Sequence, residues 1–286
     1  MMQSYWFGDV GDDGCRPFKG DTAAIAERVR SLRIEMDSFI PLKWQSAADC
    51  GTCRDREDYI GKLRGVCMLL AERRIAEEYR KKDVALHQMV GTLDEMDNVI
   101  NLLTGRAVDW YQVSHPSFSR KYRRKPPRTL MKTISRRGGG AISRMAADIE
   151  RLSATRTALA REVSDLAGDV MPNCSALLGG LVAARLMFHA GGLTPLARLP
   201  ASAIQVLGAR TSLFSHLRSG TPPPKHGIIF QHRRVHNAPA EVRGKVARTL
   251  AAKLAIAARL DLYRGVAVPE FLENAQTKID AAGNVL

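Results

Sequence analysis

Two stretches of this chain repeat their apolar residues every three and a half positions, and that period limits the fold more than any other feature. In the first, Met89, Leu93, Met96, Ile100, Leu103, Ala107 and Trp110 advance by alternating steps of four and three. In the second, Ile142, Met145, Ile149, Leu152, Arg156, Leu159, Val163, Leu166 and Val170 do the same, with Arg156 the one polar member. Such spacing lays a narrow apolar seam along a helix, which is how coiled coils pack. Each stretch of about 30 residues makes roughly 45 Å of helix at 1.5 Å per residue. Adjacent and matched in length, they are expected to pair as an antiparallel hairpin, with Leu93, Ile100, Leu103, Ile149 and Leu152 on the seam. The alternative is two separate amphipathic core helices.

The connection between them, Ser114 to Gly140, holds Arg120, Lys121, Arg123, Arg124, Lys125, Arg128, Lys132, Arg136 and Arg137 and no acidic residue. Pro126-Pro127 and Gly138-Gly139-Gly140 keep it from being one helix. It reads as a flexible phosphate clamp at the hairpin tip, or as a solvated charge run.

The charge is not confined to that tip. The 286 residues carry a formal net charge of +14, which points to a polyanionic partner. At 45% hydrophobic residues the chain can build real cores, and at 6% aromatics with abundant Ala, Leu and Arg it favours helix over sheet. The best apolar run, "SALLGGLVAARLMFHAGGL", is cut by Arg185 and His189 and is short of a membrane span. The start, "MMQSYWFGDVGDDG", has neither the basic nor the apolar region of a secretory leader. Five cysteines along a basic chain suit reduced intracellular thiols better than a disulfide scaffold.

Ahead of the hairpin, "SYWFGDV" and "CRPF" are expected as two short strands around Gly11-Asp12-Asp13-Gly14. Asp21 is placed to cap a helix carrying Ile25, Val29, Leu32 and Met36, and Cys50 to Cys53 to lie in a polar loop. Tyr5, Trp6, Phe7 and Phe18 exceed what so small a region needs for its own core, so Trp6, Phe7 and Phe18 are candidates for a protein-docking face rimmed by Arg28, Arg30 and Arg33. The competing reading makes them that core.

Beyond Met171-Pro172 the chain is expected to be a set of short helices and one long one, from Ala240 to about Tyr263. Val246, Leu250, Leu254, Ala257 and Leu260 mark its buried face, and Gly244 removes a side chain among the cations Arg243, Lys245 and Arg248. A glycine there costs about 1 kcal/mol against alanine, which makes sense if a backbone or phosphate must come close. In Gly208–Phe230, Leu213, Phe214 and Leu217 are expected to anchor a short helix. A proline run then leads through Lys225-His226-Gly227 to a strand-like Ile228-Ile229-Phe230. Catalytic chemistry finds no set of residues: no phosphate-binding loop, dinucleotide fingerprint or nucleophile elbow is present. Cys50-x-x-Cys53 stands without a second pair, and His226, His232 and His236 sit among cations that oppose a metal.

The C-terminal third resembles the Nop domain. The motifs that carry the resemblance are "PNCSALLGGLVAARL", "HAGGL", "LPASAIQVLGA", "LFSHLRSG", "PKHGIIF" and "RGKVARTLAAKLAIAAR". "LDEMDNVINLLTGRAVDWYQVSHPSF" looks like the first arm of the same proteins' coiled coil, so the resemblance runs from about Leu86 to Gly265. It implies a mainly α protein: a reduced α/β N-terminal domain (1–55), a helical segment with an antiparallel coiled-coil hairpin (56–170, basic tip 114–140), a mostly helical Nop domain (171–266) and a C-terminal tail (267–286).

The resemblance also implies a non-enzymatic scaffold of box C/D guide-RNA ribonucleoproteins, which methylate ribose 2′-hydroxyls. Its implied partners are a guide RNA with a kink-turn, the ribosomal-type protein that binds the kink-turn, the fibrillarin methyltransferase and a second copy of the chain. No cofactor or metal is implied. Arg210, Thr211, Lys225 and His226 would approach RNA phosphates, with Arg243, Lys245 and Arg248 on the helix beside the RNA–protein junction. Thr211 stands where many relatives carry lysine, and the N-terminal region barely matches. That leaves a second expectation, a stand-alone RNA-binding Nop-domain protein that recruits no methyltransferase. The missing charged repeat tail suggests a compact archaeal-type protein of the cytoplasm, or of the nucleolus if the chain is eukaryotic.

Overall fold

The computed structural model describes residues 3–11, 14–32, 44–116 and 127–283, the last without the side chains of 127 and 128. It divides into two compact units, residues 1–81 and 82–286. The division falls inside the segment 56–170 that the sequence reading took as one piece.

In the first unit three short strands, β1 (Gln3–Tyr5), β2 (Gly8–Gly11) and β3 (Gly14–Pro17), form an antiparallel meander. "SYWFGDV" is therefore two strands, broken at Trp6-Phe7, with Tyr5 opposite Gly8. Gly8 has to be small: a Cβ there would lie 2.5 Å from the Arg16 carbonyl oxygen. Helix α1 (Thr22–Ser31) starts as expected, with the Asp21 carboxylate accepting from Ala24 N at 2.8 Å. Leu32 caps it, and Met36, like Arg33 and the stretch up to Lys43, lies outside the described residues.

Helices α2 (Trp44–Asp49) and α3 (Arg56–Tyr79) complete this unit. Phe7 is fully buried with Ala47, Cys50 and Cys53, and half-buried Trp6 bridges this cluster to one formed by Ile25, Ala26 and Val66. Phe18 packs on the second cluster under the Arg28 guanidinium, 5.0 Å from its ring. Phe7 is thus taken from the expected docking face into the small core, while Trp6 and Phe18 are half-buried at its edge. Arg28 is not a free rim cation either, because its Nε donates to the Tyr5 carbonyl at 2.8 Å and it pairs with Asp9. Cys50 and Cys53 sit in the core, not in a polar loop. The Cys15 and Cys50 side chains meet in this core, with Cα atoms 5.4 Å apart, within reach of a disulfide.

The second unit opens with the hairpin. Helices α4 (Lys82–Ser114) and α6 (Gly140–Val170) run antiparallel: Lys82 pairs with Asp169, Asp97 with Arg156, and Tyr111 shares a cluster with Ile142. The expected period is there, and Leu93, Ile100 and Ala107 keep their places on it, but every other position on α4 moves on by one residue. The buried line is Leu86, Val90, Leu93, Asp97, Ile100, Thr104, Ala107 and Tyr111, not Met89, Leu103 and Trp110. Leu93 and Ile149 are buried, while Ile100, Leu103 and Leu152 are half-buried, Ile100 and Leu103 packed against the same cluster as Ile149. Small Ala146 and Ala167 on α6 let the helices approach where Leu would hold them apart. Arg156, the polar member of its seam, meets the polar member of the other: its Nε and Nη2 donate to the two Asp97 carboxylate oxygens, both at 2.7 Å. That pairing holds the Asp97 carboxyl below its usual range.

The tip is not all loop. Residues 127–137 form helix α5 (Pro127–Arg137), which buries Met131 and Ile134 against α6 and caps the hairpin. Residues 117–126 of the expected clamp lie outside the described residues.

The rest of this unit wraps α13 (Arg243–Tyr263), whose Val246, Ala247, Leu250, Ala251, Leu254, Ala257 and Ala258 are buried. Around it lie α7 (Pro172–Leu178), α8 (Gly180–Ala190), α9 (Leu193–Arg198), α10 (Ala201–Val206), α11 (Arg210–Ser219) and α12 (Arg233–His236). The expected tail is a further helix, α14 (Pro269–Gly283), with Ala275, Ile279 and Ala282 buried in the same core. Arg185 on α8 reaches Asp94 at 2.9 Å and so ties the C-terminal helices to the hairpin. Among the described residues no helix is long and apolar enough to cross a membrane.

Candidate nucleic-acid interface

The predicted strand Ile228–Phe230 is instead a 3-10 turn, Ile228–Gln231. Isoleucines favour a strand, but among the described residues of this unit there is no strand to pair with. The backbone bonds to the end of α10 instead, Gly227 N donating to Gln205 O and Ile228 N to Leu207 O, each at 2.8 Å. Two glycines permit this seam. Gly208 has φ +83°, and a Cβ on Gly227 would lie 1.9 Å from the Leu207 carbonyl oxygen. The Gln205 side chain adds a bond to the Lys225 carbonyl at 2.8 Å. Lys225 and His226 are thereby held by backbone rather than hung on a loop.

Phe230 is the centre that the sequence reading missed. The His226 ring stacks on it with centroids 4.4 Å apart and planes 15° from parallel. The Arg243 guanidinium carbon lies 5.5 Å from the Phe230 ring centre, and His236 packs on the ring at 5.1 Å. Arg243 also donates twice to the Ala238 carbonyl, at 3.2 and 2.9 Å, and the Lys225 ammonium reaches Ala240 O at 3.3 Å. Lys225, His226 and Arg243 are therefore brought together. The three aromatic or cationic partners of Phe230 were visible as residue types, but only the folded turn shows that they share one ring.

Arg243, Lys245 and Arg248 occupy the first two turns of α13, and that first turn has no acidic residue. Cations there oppose the positive end of the helix dipole, an arrangement that costs a few tenths of a kcal/mol each unless an anion is bound. Lys245 and Arg248 are exposed and make no ion pair among the described residues. Beside them nothing lies within 4 Å of a Cβ built on Gly244, so no internal contact demands glycine at that position. His226 is half-buried; burial first, then the Arg243 and Lys225 charges, hold its imidazole below the ordinary range. At neutral pH it is a neutral stacking and hydrogen-bonding group, which a bound phosphate would push back toward protonation.

Arg210 and Thr211 open α11, exposed and without a described ion pair. The anchors expected beside them fail: Leu213 is half-buried, but Phe214 and Leu217 are 63% and 75% exposed. α11 buries no residue completely. It presents apolar and cationic side chains together, close in sequence to the Phe230 cluster.

A family model described as "snoRNA binding domain, fibrillarin" (Nop) matches residues 125–282. The chain belongs to the Nop family. The match starts in the hairpin connection and reaches into α14, so this helix lies inside the span typical of Nop proteins. An uncharacterised NOP5 family protein of Methanocaldococcus jannaschii is 32% identical over 268 residues, 81% of this chain and 65% of that protein. Nucleolar protein 58 of Candida albicans is 42% identical over 122 residues, 43% of this chain and 24% of its own length. Nucleolar protein 56 of Mus musculus is 25% identical over 296 residues, covering 90% and 49%. The chain thus spans between a quarter and two thirds of these Nop relatives. A chain in the crystal structure of a fibrillarin/Nop5p complex matches 99% of this one over its whole length, with a TM-score of 0.55 and 27% identity. The mainly α Nop architecture is shared along that whole length.

Proposed function

We propose that this chain is the RNA-binding scaffold of a box C/D guide-RNA ribonucleoprotein for ribose 2′-O-methylation and has no chemistry of its own. The observation that carries this is the Phe230 cluster beside the cationic start of α13. It offers a stacking surface, guanidinium and ammonium donors, and an open backbone at Gly244. Stacking with phosphate contacts is how proteins hold single-stranded or kinked RNA. The exposed Phe214 and Leu217 suit a composite surface, on which the kink-turn protein covers the apolar pair while RNA meets the cations. Recruitment of fibrillarin is proposed from the likeness to a chain of the fibrillarin/Nop5p complex.

A second reading, RNA binding without a methyltransferase, is favoured by the burial of Phe7, one of the three expected docking anchors. One reconstitution separates the two. The full chain, kink-turn RNA, a kink-turn protein and a fibrillarin-type enzyme are mixed, and the RNA-bound fraction is analysed. RNA already carrying its protein should bind more tightly than bare RNA, with log K falling against log salt at a slope of about −3 to −4. Lys225→Ala with Arg248→Ala should flatten that slope by about 1–2. An unchanged slope in the folded double variant would sink the interface. Absence of the enzyme from the bound fraction would favour the second reading.

The scaffold is also proposed to work as a homodimer through the hairpin. On the face turned away from the seam, α4 exposes Val99, Leu102 and Val113 on one heptad register, Leu102 at 67% and Val113 at 83%. A second copy would cover that stripe. Leu102→Glu should turn a dimer into a folded monomer in light scattering at micromolar concentration. A wild type that is already monomeric would refute the proposal.

A further inference from the structure

A second concentration of positive charge lies on the hairpin, away from the Phe230 cluster. Residues 110–147 hold ten Lys or Arg and no Asp or Glu, a charge of +10 beside the +11 of residues 171–266, which hold thirteen Lys or Arg and two acids. Part of the hairpin charge sits on a rigid base. Helix α5 spends its apolar residues internally, Met131 and Ile134 being buried and Leu130 half-buried. Its turn into α6 is fixed by Gly138 N donating to Ile134 O at 2.7 Å and by the Ser143 hydroxyl donating to Ser135 O at 2.6 Å.

What remains outside is Lys132 and Arg136 on α5 and Arg144 near the start of α6, all exposed and without an ion pair among the described residues. Arg136 lies in the last turn of α5, where the helix dipole favours a cation. That reason does not extend to Lys132, in mid-helix, or to Arg144, near the positive end of α6. The exposed face of α5 presents Lys132, Ser135, Arg136 and Arg137 but no large apolar side chain. A lipid surface needs apolar residues to insert, and a protein interface needs a desolvated anchor. Neither is offered. What fits is a sequence-independent polyanion read by forked and point cations, the ribose-phosphate backbone.

We propose that this basic end of the hairpin is a second RNA-backbone contact, holding the phosphates of a duplex whose other part lies at the Phe230 cluster. The duplex geometry rests on the RNA-binding reading above; the contact itself does not. Gln231, next to Phe230, lies 3.5 Å from Arg185, which pairs with Asp94 and Asp97 opposite Arg156, midway along the hairpin, so the two places are separated by roughly 20–30 Å. An RNA duplex of about 30 base pairs, at roughly 3 Å each, is long enough to touch both.

The test uses the full chain and such a duplex of arbitrary sequence, with affinity followed across salt by fluorescence anisotropy. Lys132→Ala, Arg136→Ala and Arg144→Ala together should lower affinity about tenfold and reduce the salt slope by roughly 2–3, with unchanged melting. Arg144→Ala alone should remove about 1 from the slope, and Arg136→Lys with Arg144→Lys should leave it intact. Wild-type slope and affinity in the triple variant would overturn the proposal. If Lys225→Ala with Arg248→Ala still weakened binding in that case, the Phe230 site would stand alone. If only the triple variant weakened binding, the hairpin contact would stand and the Phe230 site would fall. Loss of binding to anionic vesicles with unchanged RNA binding would also overturn it.

Discussion

Asp261→Ala should destabilise the second unit by about 3–5 kcal/mol, the largest single effect expected in this chain. Asp261 is 3% exposed. Its Oδ1 accepts from Asn173 N and Asn173 Nδ2, both at 2.8 Å, and its Oδ2 from Cys174 N at 2.9 Å. Asn173 passes the connection on, donating to Val266 O and accepting from Val268 N, each at 2.8 Å. One carboxylate thus satisfies the free N–H groups at the start of α7 and, through Asn173, fixes the chain between α13 and α14. Alanine would strand three buried donors. Asp261→Asn keeps the shape but turns one acceptor into a donor facing a donor, so roughly half the loss should remain. Thermal melting should fall by on the order of 10 °C or more for alanine. A shift of only a degree or two would show that this network carries little. Burial first, and then the Asp261 charge, also push the Cys174 thiol well up. Its resistance to alkylation in the native protein should vanish in the alanine variant, which gives a local readout of the same event.

How much of this was legible depends on whether a feature is periodic, local or long-range. The 3.5-residue period could be read because it repeats seven or more times. Its phase could not. Met89-Val90, Leu103-Thr104 and Trp110-Tyr111 each offer two neighbours for one seam position, and hydropathy prefers Leu103 where packing takes Thr104. The Asp21 cap was readable because a cap is decided within four residues. Phe7 was misplaced because counting aromatics says nothing of what Ala47 and the cysteines bring to the same core. Phe214 and Leu217 were misread for the opposite reason: helical spacing predicts a buried face only where another element lies on it. For the site, the cations and glycines were legible as residue types. Phe230 as their meeting point was not, since the turn is built from backbone bonds to α10, twenty residues earlier.

Two glycines of that site should respond to alanine in opposite ways. At Gly227 the added Cβ would meet the Leu207 carbonyl oxygen at 1.9 Å and Val206 C at 2.8 Å, both backbone atoms with no rotamer to yield. The 205–207 to 227–228 seam must open, and its two hydrogen bonds are lost with it. A cost of about 2–4 kcal/mol is expected, and RNA affinity should drop at least tenfold because Lys225 and His226 lose their base. At Gly244 the Cβ meets nothing within 4 Å, and the residue lies in the first turn of a 21-residue helix. Alanine there should stabilise the fold by roughly 0.5–1 kcal/mol. Its methyl group would nonetheless stand where a phosphate is proposed to approach among Arg243, Lys245 and Arg248. Gly244→Ala should therefore melt higher and bind RNA less well, a split that damage to the fold cannot produce. Wild-type affinity in Gly244→Ala would mean that no RNA backbone comes within a methyl group of this turn, and the interface would have to be moved off the start of α13.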